Sequence, residues 1–73
     1  MNTAVSEIHV SVNGEPRACS GDLRLAALLD RLGMTGKKIA VERNGAIVPR
    51  SLHADTVLAD GDRLEIVVAV GGG

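Results

Sequence analysis

The sequence predicts an α+β fold in which one helix packs across one face of a sheet, in the order ββαββ. Three observations lead to it. Leu25, Leu28, Leu29 and Leu32 fall at i, i+3, i+4 and i+7, a single helical stripe in a chain whose other periodic stretches alternate. Asn-Gly occurs at Asn13-Gly14 and again at Asn44-Gly45, each time between two alternating stretches, which marks two hairpins. A last alternating stretch, Arg63 to Val70, has no hairpin partner next to it in sequence.

Ile8-His9-Val10-Ser11-Val12 places Ile8, Val10 and Val12 on one face of the first strand. Asn13-Gly14 tolerates the positive φ of a type I′ turn, so Glu15 to Cys19 returns beside it. Pro16 lacks an N–H and puts that second strand at a sheet edge. Ser20-Gly21-Asp22 ends the strand and offers capping side chains to a helix of about ten residues, which is too short to be stable alone. Gly33 closes it. Ile39 and Val41 share a face of the third strand, and Ala46-Ile47-Val48 follows the second Asn-Gly turn up to Pro49. Arg50 to Ala59 shows no period. It reads as an irregular link with one short helical turn, anchored by Leu52, Val57 and Leu58. After the turn Asp60-Gly61-Asp62, the final strand turns Leu64, Ile66, Val68 and Val70 inward. Residues 1–70 are thus expected to form one domain with a short extension at 1–7, and 71–73 to be a flexible glycine tail.

At 73 residues, an enzyme cleft would compete with the core for side chains. The chain has no Phe, Tyr or Trp, carries a net charge of −1 and contains no basic cluster, which argues against nucleic-acid binding. The single Cys19 fits a reducing cytoplasm. Residues 1–7 show no signal-peptide pattern, and Ile66 to Val70, the longest apolar run, is too short for a membrane span.

Candidate chemistry in the body of the chain is sparse. His9 and His53 are isolated and read as surface residues rather than metal ligands. Cys19 reads as a small buried hydrophobe rather than a reactive thiol. Glu42, Asp55, Asp60, Asp62 and Glu65 read as solvated charges on turns and outer faces, with no pairing suited to acid–base work. No nucleophile set, phosphate loop or dinucleotide fingerprint occurs. No catalytic residue and no metal ligand is expected.

Gly71, Gly72 and Gly73 are the exception. Three glycines give up order without any packing gain, yet they carry a carboxylate about 10 Å beyond the last strand and offer no side chain to obstruct a narrow channel. The outer face of that strand runs Arg63, Glu65, Val67, Ala69, losing polarity towards the tail. Val67 and Ala69 are therefore the expected partner-docking residues.

Val41-Glu42-Arg43-Asn44-Gly45, Ile47-Val48-Pro49-Arg50, Leu58, Gly61 to Val67 and Val70-Gly71-Gly72-Gly73 together resemble the ThiS family, ubiquitin-like β-grasp sulfur carriers of thiamine biosynthesis. The resemblance covers residue 8 to the end. It implies a mixed sheet of order 2-1-5-3-4 with the first and last strands parallel at its centre. It implies further that an E1-like adenylyltransferase adenylates Gly73 with ATP, that a cysteine desulfurase relay supplies sulfur to form a thiocarboxylate there, and that thiazole synthase takes the sulfur. Gly71 and Gly72 would form the threading arm. The chain would bind no cofactor of its own and would be a cytoplasmic monomer when free. Two other readings share the glycine end: a small subunit of molybdopterin synthase, with a different acceptor, and a ubiquitin-like protein modifier.

Overall fold

The computed structural model describes residues 6–69; Val70 and the glycines Gly71, Gly72 and Gly73 lie outside them. Seven elements follow in order: β1 (Glu7–Val12), β2 (Glu15–Ser20), α1 (Leu25–Arg31), β3 (Ile39–Arg43), β4 (Ala46–Ile47), a 3-10 turn (Arg50–Leu52) and β5 (Arg63–Val68). The sheet order is β2-β1-β5-β3-β4, as the resemblance implies. Strand β5 runs parallel to β1, with Ser11 opposite Arg63 and Val12 opposite Leu64, and antiparallel to all of β3. Both hairpin turns have the expected positive φ, 51° and 87° at Asn13-Gly14 and 54° and 89° at Asn44-Gly45. Pro16 lies on the edge strand β2.

The core joins Val10, Val12 and Cys19 from the first hairpin to Leu25, Leu28 and Leu29 of α1 and to Val41, Leu58, Leu64 and Ile66. Leu25 and Leu64 are completely buried. With no aromatic side chain available, branched aliphatics and one thiol fill the space between helix and sheet.

Both asparagines do more than turn the chain. The Asn13 amide donates to the Leu64 carbonyl at 2.8 Å. Its side-chain Oδ1 accepts from the Ile66 N–H (2.7 Å), and its Nδ2 donates to the Ile66 carbonyl (3.1 Å). Asn44 treats the start of β5 similarly from the other side: its N–H donates to the Arg63 carbonyl (2.8 Å) and its Oδ1 accepts from the Arg63 N–H (2.8 Å). Each side chain replaces a ladder rung where the neighbouring strand has turned away.

Several expectations need correction. Ser20 and Asp22 do not cap α1; the Ser20 hydroxyl donates to the Asp22 carboxylate instead. Arg24 occupies the cap position in an extended conformation, bridged to Val57. The first helical N–H groups are satisfied by the irregular link, Leu25 donating to the Thr56 carbonyl (2.8 Å) and Ala26 to the His53 carbonyl (3.0 Å). Helix α1 has seven residues rather than about ten, because it starts only at Leu25, with Arg24 held extended in its bridge to Val57. Gly33 closes it as expected, in a Schellman motif in which the Gly33 N–H donates to the Asp30 carbonyl (3.0 Å) and the Met34 N–H to the Leu29 carbonyl (2.9 Å). Of the three link anchors only Leu58 is buried, while Leu52 and Val57 are 48% and 43% exposed. Val68 is 39% exposed, because the layer covering Leu64 and Ile66 ends before it. The expectation for Val70 falls outside the described residues.

Two polar residues read as surface are buried. His53 is 8% exposed, with Nε2 3.1 Å from the Val48 carbonyl. A carbonyl only accepts, so Nε2 carries the proton. Asp62 is 5% exposed and is not a solvated turn charge. Its carboxylate accepts from Arg43 Nε (2.9 Å), Asn44 Nδ2 (3.0 Å) and the Ala59 N–H (2.8 Å), tying the β3–β4 turn to the entry of β5. Replacing Asp62 with Ala leaves the Ala59 N–H and a partly buried guanidinium without their acceptor. We expect a loss of about 2–3 kcal/mol, or about 10–20 °C in melting temperature. Asp55→Ala, on the exposed link, is expected to cost no more than about 0.5 kcal/mol, both variants being compared with the parent by urea titration. Equal losses for the two variants would show that the buried pair does not hold the turn.

Candidate functional site

The candidate site is the outer sheet face where β5 ends. Strand alternation fixes which side chains reach it: with Leu64 and Ile66 turned to the core, Arg63, Glu65 and Val67 face outward, and Ala69 continues the series. Val67 is 62% exposed and Ala69 is exposed, as expected for both. The neighbouring β3 adds Ala40, directly opposite Val67, and the Ala69 N–H donates to the Lys38 carbonyl at 2.8 Å, which keeps β5 extended to the end of the described residues. Gly71, Gly72 and Gly73 lie beyond those residues.

Sequence reasoning placed Glu42 and Glu65 on outer faces but missed that they stand together. Glu42 of β3 stands opposite Glu65 of β5, and on its other side Glu42 stands opposite Ile47 of β4, which is 62% exposed. Like charges directly across a sheet are destabilising. No pattern within either strand reveals the pair, since it depends on the register between them. The face therefore combines a small apolar patch at Val67, Ala40 and Ala69 with two adjacent carboxylates.

The other candidate groups are not brought to this site. His9 is exposed on β1, 3.7 Å from Glu7 and 4.0 Å from Asp60. Cys19 is buried, and burial pushes its thiol up from the ordinary value; Arg31 opposes the shift and Glu7 adds to it. A thiol held protonated is a poor nucleophile, so Cys19 acts as a core residue. On the helix side, a groove of about 230 Å³ is lined by Ala26, Leu29, Met34, Ile39, Arg50 and His53 among others. Among the described residues no three His, Cys, Asp or Glu side chains converge as metal ligands, and no helix is long and apolar enough to cross a membrane.

Comparison with known proteins places this geometry. The family model described as ThiS family matches residues 10–73. A thiazole synthase of Paramagnetospirillum magneticum is 50% identical over 62 residues, which is 85% of this chain but 19% of that protein. The chain thus spans about a fifth of that relative's length. The uncharacterized protein ycf40 of Pyropia yezoensis is 41% identical over 68 residues, 93% of this chain and 96% of its own. Among solved structures, the thiamine biosynthesis protein ThiS of Geobacter metallireducens superposes with a TM-score of 0.76 at 30% identity, over 90% of this chain and all of that one. Helix, sheet order and parallel centre are therefore those of the ubiquitin-like β-grasp. With the match running through the central strand and the glycines, and with a structural relative covered end to end, the chain belongs to the ThiS family.

Proposed function

We propose that this chain is a protein sulfur carrier of thiamine biosynthesis, working as a co-substrate of partner enzymes rather than as an enzyme. The observation that carries the reading is the ThiS family match through Gly73, supported by a structural relative named as a thiamine biosynthesis protein. An α-carboxyl group ionises near about 3.5, so at neutral pH it is an anion and a poor electrophile. In the proposed cycle an E1-like adenylyltransferase joins the Gly73 carboxylate to the α-phosphate of ATP and releases pyrophosphate. A persulfide relayed from a cysteine desulfurase attacks the acyl carbon and displaces AMP to give an acyl disulfide, which a second thiol cleaves to leave the thiocarboxylate and a disulfide. Thiazole synthase then takes the sulfur. Two relatives bearing the name thiazole synthase favour that acceptor over a molybdopterin route.

In this reading Val67 and Ala69 dock on the activating enzyme and Gly71 and Gly72 thread towards its nucleotide. The carboxylates of Glu42 and Glu65 suit a partner surface that pairs apolar contact with basic side chains. Their mutual repulsion in the free chain is relieved when such a partner covers them.

Incubation with the activating enzyme, ATP and a sulfur donor should replace one oxygen by sulfur on Gly73, read by intact mass. Deleting Gly73 draws the carboxylate back by about 3.5 Å. Since about 1 Å of misplacement can cost about a hundredfold in rate, loading should nearly cease. One residue added after Gly73, or Gly72→Ala, should also abolish most loading. All three variants should melt within about 2–4 °C of the parent, the shift that a change of at most roughly 0.5 kcal/mol produces in a domain of this size. Normal loading of the extended variant without trimming would sink the assignment, and a protein-sized adduct in place of the sulfur exchange would indicate a modifier.

The docking face makes its own demands. Val67→Asp buries an unpaired charge in the complex and should weaken binding to the activating enzyme at least about tenfold without unfolding the chain. Glu65→Gln should stabilise the free protein by about 0.2–0.5 kcal/mol while slowing association at low salt. If Glu65→Gln destabilises the chain, the opposed carboxylates are not in conflict.

A further inference from the structure

Strand β5 outruns its neighbour. Strand β1 ends at Val12, opposite Leu64, whereas β5 continues to Val68 and stays paired with β3 throughout. Backbone direction along β5 alternates strictly. Asp62, Leu64 and Ile66 present their N–H or C=O groups towards β1 and its turn, where Ser11, Asn13 and the Asn13 side chain bond them. Arg63 is bonded on the opposite edge by Asn44, and Ala69 there by Lys38. Val68 belongs to the first set, so its N–H and C=O point to the β1 side, one rung beyond the Asn13 amide. Among the described residues neither group has a partner.

We infer that this open edge at Val68 receives an extended segment of the activating enzyme, which adds to the sheet as a strand beside β5. The inference rests on the function proposed above and names the backbone contact by which the partner holds the carrier. An unpaired N–H and C=O in register at a sheet edge form a template for one more strand. The side chains beside them are apolar and exposed, Val67 at 62% and Val68 at 39%. The edge lies directly before the glycines in the sequence. A strand bonded there would hold β5 extended from both sides, so that the tail leaves the sheet in one direction. Face docking through Val67 positions the domain, while edge pairing aims its end.

Two measurements with the full chain and the activating enzyme test this. Val68→Pro removes the N–H at a position where the free protein makes no bond with it, so the fold should tolerate the change. Val68→Ala keeps the N–H and trims the side chain. In ATP–pyrophosphate exchange, the KM for the carrier should rise about tenfold in Val68→Pro and less than about threefold in Val68→Ala, with kcat little changed. Equal KM values for Val68→Pro and the parent overturn the inference. The unsubstituted chain gives the second readout, amide hydrogen exchange. The Val68 N–H should exchange fast in the free protein and at least about tenfold more slowly when the enzyme saturates it, while the Ala69 N–H stays protected in both states. Fast exchange at Val68 in the complex overturns the inference and leaves face docking standing. Protection that grows with carrier concentration in the absence of enzyme also overturns it, placing a second copy at the edge. A parent chain that supports no exchange of pyrophosphate removes the proposed function and the strand pairing together; normal exchange with an unprotected Val68 removes the strand pairing alone.

Discussion

The fold depends on how the central strand completes its hydrogen bonds. Strand β5 lies between β1 and β3, but its partners accompany it for different lengths: β1 only to Leu64, and β3 from Arg43 opposite Leu64 to Ile39 opposite Val68. A buried backbone group left unpaired costs about 1–3 kcal/mol, so the strand could not stay central with open rungs beside the core. The side chains of Asn13 and Asn44 supply those rungs, at Ile66 on one side and Arg63 on the other. Glycine at the next position lets each asparagine take a positive φ within a tight turn. The same two residues therefore turn the hairpins and close the ladder.

The buried carboxylate of Asp62 is a consequence of that arrangement. Asn44 reaches β5 only if its turn is held against the chain entering the strand, and Asp62 does this by accepting from Asn44, Arg43 and Ala59 together. On the other side of the core, the link between β4 and β5 provides the carbonyls that cap α1. A stretch without periodicity thus performs two jobs, covering the helix start and burying the His53 ring. A seven-residue helix would be marginal in isolation; here it is held by three buried leucines and by backbone acceptors from a distant segment.

This division of labour suits a carrier. Hydrogen bonding is concentrated at the start of β5, where both neighbours and both asparagines converge, and thins towards its end, where only β3 remains. In the proposed function the partner supplies the missing support. Docking then combines recognition of the Val67 and Ala40 patch with control of the direction in which the glycines leave.

The sequence by itself determined the local elements: the leucine stripe of α1, two Asn-Gly hairpins, Pro16 on an edge and the exposed Val67. These are local patterns, set by side-chain periodicity, by φ preference and by the missing proline donor. The resemblance added the strand order and the parallel centre, which no local pattern encodes. Only the tertiary structure decided that Asp62 and His53 are buried, because their partners Arg43 and Val48 come from other strands or loops and burial follows from those contacts. It alone decided that Glu42 faces Glu65, since cross-strand pairing is a matter of register, and that the helix is capped by Thr56 and His53 rather than by Ser20 or Asp22. It also decided that the backbone of Val68 stands open, because that depends on where β1 stops relative to a strand more than fifty residues away in sequence, a distance over which local patterns carry no information.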